Sequence, residues 1–178
     1  MPYTLFEHRH RFAIWAAARA AQRGFTSVRV LRDALESTDI AAFLRDPASL
    51  ETDQAAFDGR YRGWCIAALG FLENAGVANS TFGRVAKLVA VYLKSMVITG
   101  PHAESRLAGV IHPPIDAILL KNLARSEAGS QFPQRWRTMR WTMLDEQAYS
   151  TLIAELRRVL PEGEPFWKLE EHWTITSG

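Results

Sequence analysis

The sequence predicts an all-α fold, a single-domain orthogonal helical bundle spanning residues 1–178, on three observations. Apolar residues recur at spacings of three and four through most of the chain, the pattern of one helical face. No stretch sustains the period-two alternation, rich in branched residues, that marks a strand. A chain of 178 residues also buries about 70% of its unfolded surface in one core, so neither a second domain nor covalent staples are needed.

The first helix runs from Leu5 to Arg23. Thr4 caps it, with Glu7 three residues on in a capping-box spacing, and its alanine-rich second half lets a neighbouring helix approach closely. His8 and His10, two apart, point in different directions. With no third ligand at a suitable spacing, no metal site is expected there. After Gly24, short helices form around Val28, Leu31 and Leu35, and then around Ile40, Phe43 and Leu44 until Asp46-Pro47 breaks the chain. A long helix from Thr52 to Asn74 puts Phe57, Tyr61, Trp64, Ala68 and Leu72 on one stripe. Gly76 and Asn79 make the next turn.

The stretch from Ser80 to Leu123 is where the sequence concentrates its chemistry. Its helix, capped by Ser80 or Thr81, lines Phe82, Val85, Val89, Tyr92, Leu93 and Met96 on one face. Arg84, Lys87 and Lys94 recur on another, which predicts a wet basic stripe suited to phosphates. Thr99, Gly100 and Pro101 end it, and a polar connection leads to His112-Pro113-Pro114-Ile115-Asp116. The proline pair reads as the start of a helix to Leu123, with Asp116 in the first turn, where the amide dipoles favour a negative charge. A first-turn aspartate is explained structurally without any catalytic role; beside His112 and a cationic helix, it is also a candidate catalytic carboxylate.

Beyond Leu123, Gly129 and Pro133 argue against a continuous helix. Arg135, Trp136, Arg137, Arg140 and Trp141 interleave cations with aromatics, a mixture that grips a phosphate backbone or, alternatively, anchors a loop with its arginines in water. A last strong helix from Asp145 to Val159 buries Ala148, Leu152 and Leu156, and a tail docks by Phe166, Trp167 and Trp173.

Composition narrows the function classes. With 48% hydrophobic and 22% charged residues, the chain lies far from the disordered regime. A net charge of +2 permits a nucleic-acid partner without demanding one. The single cysteine, Cys65, excludes a disulfide framework and any multi-cysteine metal site, and fits a reducing cytoplasm. No apolar window reaches the ~18 residues of a spanning helix, so no membrane partner is expected. Nor is a cofactor, since no glycine-rich nucleotide loop is present.

Gly83-Arg84, an apolar helix, and then Pro114-Ile115-Asp116 opening another helix resembles the helix-hairpin-helix DNA glycosylases, over roughly Phe12 to Leu123. The resemblance implies a double-stranded DNA partner and a catalytic role for Asp116. The family hairpin reads Leu-Pro-Gly-Val-Gly, whereas this chain has Asn79-Ser80-Thr81-Phe82-Gly83. Val85 stands where strand-cutting members carry a lysine, so the resemblance implies base excision without lyase activity, or an inactive relative. The FGR, YLK, HPPID and PFW segments are also similar to an uncharacterised bacterial family that suggests no activity.

Two functions of different classes follow. In the first, an N-glycosidase extrudes a damaged base into a pocket with Trp15, Trp64 or Trp141 as candidate walls. Asp116 acts as catalytic carboxylate, His112 positions it or the substrate, and Arg84, Lys87, Lys94, Arg137 and Arg140 hold phosphates. In the second, a non-catalytic helical module binds a protein or nucleic acid through the basic helix and the Trp-Arg loop.

Overall fold

The computed structural model describes residues 3–22, 24–127, 129 and 134–174, and every regular element among them is helical. Arg23, the expected end of the first helix, and Pro133, the expected breaker, lie outside the described residues. The helices are α1 (Leu5–Gln22), α2 (Val28–Glu36), α3 (Ile40–Arg45), α4 (Gln54–Asn74), α5 (Phe82–Leu93), α6 (Arg106–Val110), α7 (Ala117–Leu123) and α8 (Glu146–Arg157). Short 3-10 segments lie between and after them, the last at Phe166–His172.

Local chemistry sets most boundaries. The side chains of Ser27, Asp53, Thr81 and Asp145 each accept an amide hydrogen bond from the first turn of α2, α4, α5 and α8, which satisfies a donor the helix itself leaves free. Thr4 does the same for Glu7 at 3.2 Å. Gly76 and Asn79 both adopt positive φ, 69° and 59°, the conformation that makes the tight turn into α5.

At the centre lies α5, flanked by α1 and α4. Ala13, Ala17, Ala18 and Ala21 of α1 are buried there, and their small side chains allow the close approach. Ten of the twelve residues of α5 are buried, the signature of a helix enclosed on all sides. This corrects the expected wet basic stripe: Lys87 is only 5% exposed. The segment carrying Asp116 and the turn carrying Trp173 close over that side of the helix, and neither could be foreseen from the periodicity of α5 alone.

Three further differences shape the site. The chain past Leu93 widens into a π turn, Lys94–Ile98, in which the Thr99 amide donates to the Lys94 carbonyl at 2.9 Å. The polar connection holds a short helix, α6, capped by Ser105. The proline pair does not begin a helix: Pro113 and Pro114 are in irregular backbone, and α7 starts only at Ala117. Asp116 is the extended N-cap (φ −148°, ψ 178°) rather than a first-turn residue. Its side chain competes for the amides a helical backbone would leave open, which favours the cap position.

Gly83 is a residue of necessity. A Cβ there would sit 2.1 Å from the Trp141 carbonyl oxygen, because the 141–144 turn lies directly on the start of α5. The Gly83 amide donates to the Leu144 carbonyl at 2.9 Å, and the Thr81 hydroxyl donates to that of Thr142 at 2.8 Å.

Candidate functional site

Asp116 and Lys87, 29 positions apart in sequence, form a buried ion pair, Nζ to Oδ2 at 3.0 Å. Asp116 is 3% exposed. Its Oδ1 accepts the amides of Ile118 and Leu119, each at 3.0 Å. Its Oδ2 also accepts the Trp173 indole N–H at 3.1 Å. Burial alone would raise the carboxyl's pKa; the Leu119 amide and the Lys87 ammonium outweigh it and hold the group below its ordinary value. On its other side the Lys87 ammonium lies 4.8 Å from the centre of the Trp141 ring, a cation–π contact.

The pair lines a cleft of about 240 Å³. Lys94 and Glu170, themselves an ion pair, Pro114 and Trp173 form much of the remaining wall. Asn122 fixes the strap that carries Trp173, donating to the His172 carbonyl at 2.8 Å. One turn before Lys87, Arg84 stacks on Phe25 at 4.5 Å. Its Nε and Nη1 are buried without a hydrogen-bond partner among the described residues, and burial lowers its pKa.

His112 is elsewhere. Its ring faces α4 and α8 and lines a separate cleft of about 300 Å³ with Asp58, Tyr149 and Arg157. Nε2 meets Asp58 Oδ1 at 3.0 Å and Nδ1 meets the Tyr149 hydroxyl at 3.2 Å. The Tyr149 hydroxyl lies 3.0 Å from that of Tyr61, which donates to the Ala86 carbonyl at 2.6 Å. Burial lowers the His112 pKa against the opposing pull of Asp58. For Asp58, burial alone would raise the pKa, but hydrogen bonds from His112 and Arg157 hold it at about 2. A neutral His112 that donates from Nε2 to Asp58 and accepts at Nδ1 from Tyr149 fits these contacts.

The expected site residues therefore divide. Lys87, Lys94 and Asp116 share one cleft, and Trp141 touches it through Lys87. Arg137 and Arg140 are exposed and line a third cleft, of about 340 Å³, with Lys121 and Trp141. Trp64 lines none of these three clefts: it is buried under Phe43 and Phe57, and its indole N–H donates to Asp39 at 2.6 Å. Trp15 lies on the outer surface of α1, 54% exposed. In the Trp-Arg loop the aromatics are anchors: Trp136 is 1% exposed and donates to Glu155 at 3.0 Å.

Sequence reasoning missed Asp58, Tyr149, Arg157 and Glu170. Each sits on a helical segment at a position where a charge or hydroxyl reads as ordinary, and only the meeting of distant elements gives it a partner. Trp173 was legible as a docking aromatic, though not as a ligand of Asp116.

Compared with known protein families, curated proteins and solved structures, the chain matches none. No helix among the described residues is long and apolar enough to cross a membrane. Among the same residues, no group of three or more His, Cys, Asp and Glu side chains could hold a metal ion.

Proposed function

We propose that the Lys87–Asp116 cleft is the active site of a DNA N-glycosidase. The observation that carries the proposal is an amine and a carboxylate held 3.0 Å apart in a cleft walled by Trp173 and Pro114. An amine so placed is a nucleophile once its proton moves to the adjacent carboxylate. In the reaction, Lys87 passes a proton to Asp116 and its nitrogen attacks C1′ of an extruded nucleotide. The glycosidic bond breaks with its electron pair leaving on the base, which takes the proton from Asp116. The carboxylate, charged again, stabilises the positive charge now on the Lys87 nitrogen bonded to C1′. The resulting N,O-acetal opens as the C1′–O4′ bond breaks, O4′ taking the electron pair and a proton from the nitrogen, which leaves a protonated imine; Lys87 so supplies the lyase amine that Val85, at the family position, does not.

Lys121, Arg137 and Arg140 form an exposed cationic face that suits the phosphates of a duplex. Lys94 is tied to Glu170 and contributes less. His112, in its own cleft, has no part in the reacting atoms.

The test is borohydride trapping on a duplex with an abasic site. The wild-type chain forms a covalent adduct, and Lys87→Met, checked for native helicity by circular dichroism, forms none. Asp116→Asn slows base release by about a hundredfold or more. A Lys87→Met adduct as abundant as the wild-type one removes the nucleophile assignment.

One observation favours the second reading, a non-catalytic module. Both Asp116 oxygens already hold two donors each, so substrate must displace Trp173 or Lys87. That reading gives duplex binding that weakens with salt, with neither adduct nor released base.

A further inference from the structure

We infer that the outer stripe of α1 is a docking seam for an amphipathic helix of a partner protein with acidic flanks. The inner side of α1 is committed to the core through Ala13, Ile14, Ala17, Ala18 and Ala21. The opposite side carries Leu5, His8, Phe12, Trp15 and Arg19, at alternating steps of three and four. That is the spacing of a coiled-coil seam, and among the described residues it stays largely uncovered. Leu5, Phe12 and Trp15 are 62%, 60% and 54% exposed, and the Phe12 and Trp15 rings pack against each other at 5.9 Å. Side chains this large, in register and open to water, mark an interaction surface.

The charges beside the seam select the occupant. Arg9 and Arg11 flank it, and Arg19 closes its end. The one acid of α1, Glu7, lies to the side, bound to Arg11 at 3.0 Å and near Arg45 at 3.8 Å. A helix with apolar residues on its own seam and Glu or Asp on its flanks meets both features. A second copy of α1 would set arginine against arginine. A lipid surface requires no seven-residue register, and a nucleic acid leaves Leu5 without a role.

Two labelled synthetic peptides test this by fluorescence anisotropy. Each has three heptads with Leu at both seam positions; one has Glu at the flanking positions and the other Lys. The acidic peptide is expected to bind about tenfold more tightly or better. Trp15→Ala and Phe12→Ala, both at exposed positions, each weaken that binding about tenfold, with thermal stability unchanged. Arg9→Glu combined with Arg11→Glu reverses the preference. Equal affinity for the two peptides, no binding of either, or indifference to Trp15→Ala overturns the inference. A dimer that Trp15→Ala dissolves reassigns the stripe to a second copy. Binding to phosphatidylglycerol vesicles that needs Trp15, without peptide binding, reassigns it to lipid. The outcome is independent of any chemistry at Lys87.

Discussion

Asp58 and Arg157 meet through two parallel hydrogen bonds, Nη1 to Oδ2 at 2.7 Å and Nη2 to Oδ1 at 2.6 Å. The fork ties α4 to α8 across 99 positions of sequence, and the same carboxylate orients His112. Asp58→Ala takes a partner from both groups at once. Because the Asp58 side chain is about a third exposed, water replaces part of what is lost, and the expected cost is about 1–2 kcal/mol. Urea denaturation measures it; an unchanged midpoint would show that the fork is decorative.

The same cluster sets a pH dependence with a definite sign. His112 has a folded pKa below its ordinary 6.5, so below that pH the unfolded chain binds the proton more readily. Its contribution is present above 6.5 and declines as pH falls through that region. Asp58 is depressed to about 2 from 3.8, so its contribution holds above 3.8 and is lost as pH falls towards 2. Stability thus declines in two windows on acidification. His112→Gln should flatten the upper window and leave in the lower one at least the part that Arg157 supplies; urea midpoints across the range decide, and an identical profile in the variant would remove His112 from the account.

Gly83 and Gly63 make a contrasting pair. Gly83→Ala drives a Cβ to 2.1 Å from the Trp141 carbonyl oxygen and 3.1 Å from Leu144 Cβ, and the first of these is backbone that cannot swing aside. A loss of about 2–3 kcal/mol is expected. Gly63 lies on an exposed part of α4 with nothing near an added Cβ, so Gly63→Ala should gain about 0.5–1 kcal/mol from helix propensity and reduced unfolded-state entropy. Thermal melts of both variants compare them directly, and equal effects would refute the close approach.

How far the sequence discloses this molecule depends on the range of the interactions. Caps and turns are local: Thr4, Asp145, Gly76 and Asn79 announce themselves within a few residues. The apolar face of α5 is equally local. Lys87 shows where that ends. A lysine three residues after Arg84 and seven before Lys94 reads as part of a solvated stripe, because periodicity carries no information about what packs against it. Only the meeting with Asp116, 29 residues on, makes burial tolerable. Asp116 stood out in the sequence, yet its role as N-cap depends on Pro113 and Pro114 remaining outside α7. A five-residue helix such as α6 is too short to show a period at all.

The buried pair itself gives the last prediction. Lys87→Met leaves the Asp116 charge with two amides and the Trp173 indole but no cation. Removing one partner of a buried pair costs about 3–5 kcal/mol. Asp116→Asn keeps an oxygen for the Ile118 and Leu119 amides and so preserves the cap, but it takes the anionic partner from the Lys87 ammonium, which still lies against the Trp141 ring. In the double variant neither charge remains, and most of the desolvation penalty goes with them. The double-mutant cycle should therefore show a coupling of about 1–3 kcal/mol, the double variant being more stable than the sum of the single losses implies. Chemical denaturation of the four proteins at neutral pH measures it. Additive losses would mean that Lys87 and Asp116 hold each other only weakly, and that each is kept in place by its other contacts.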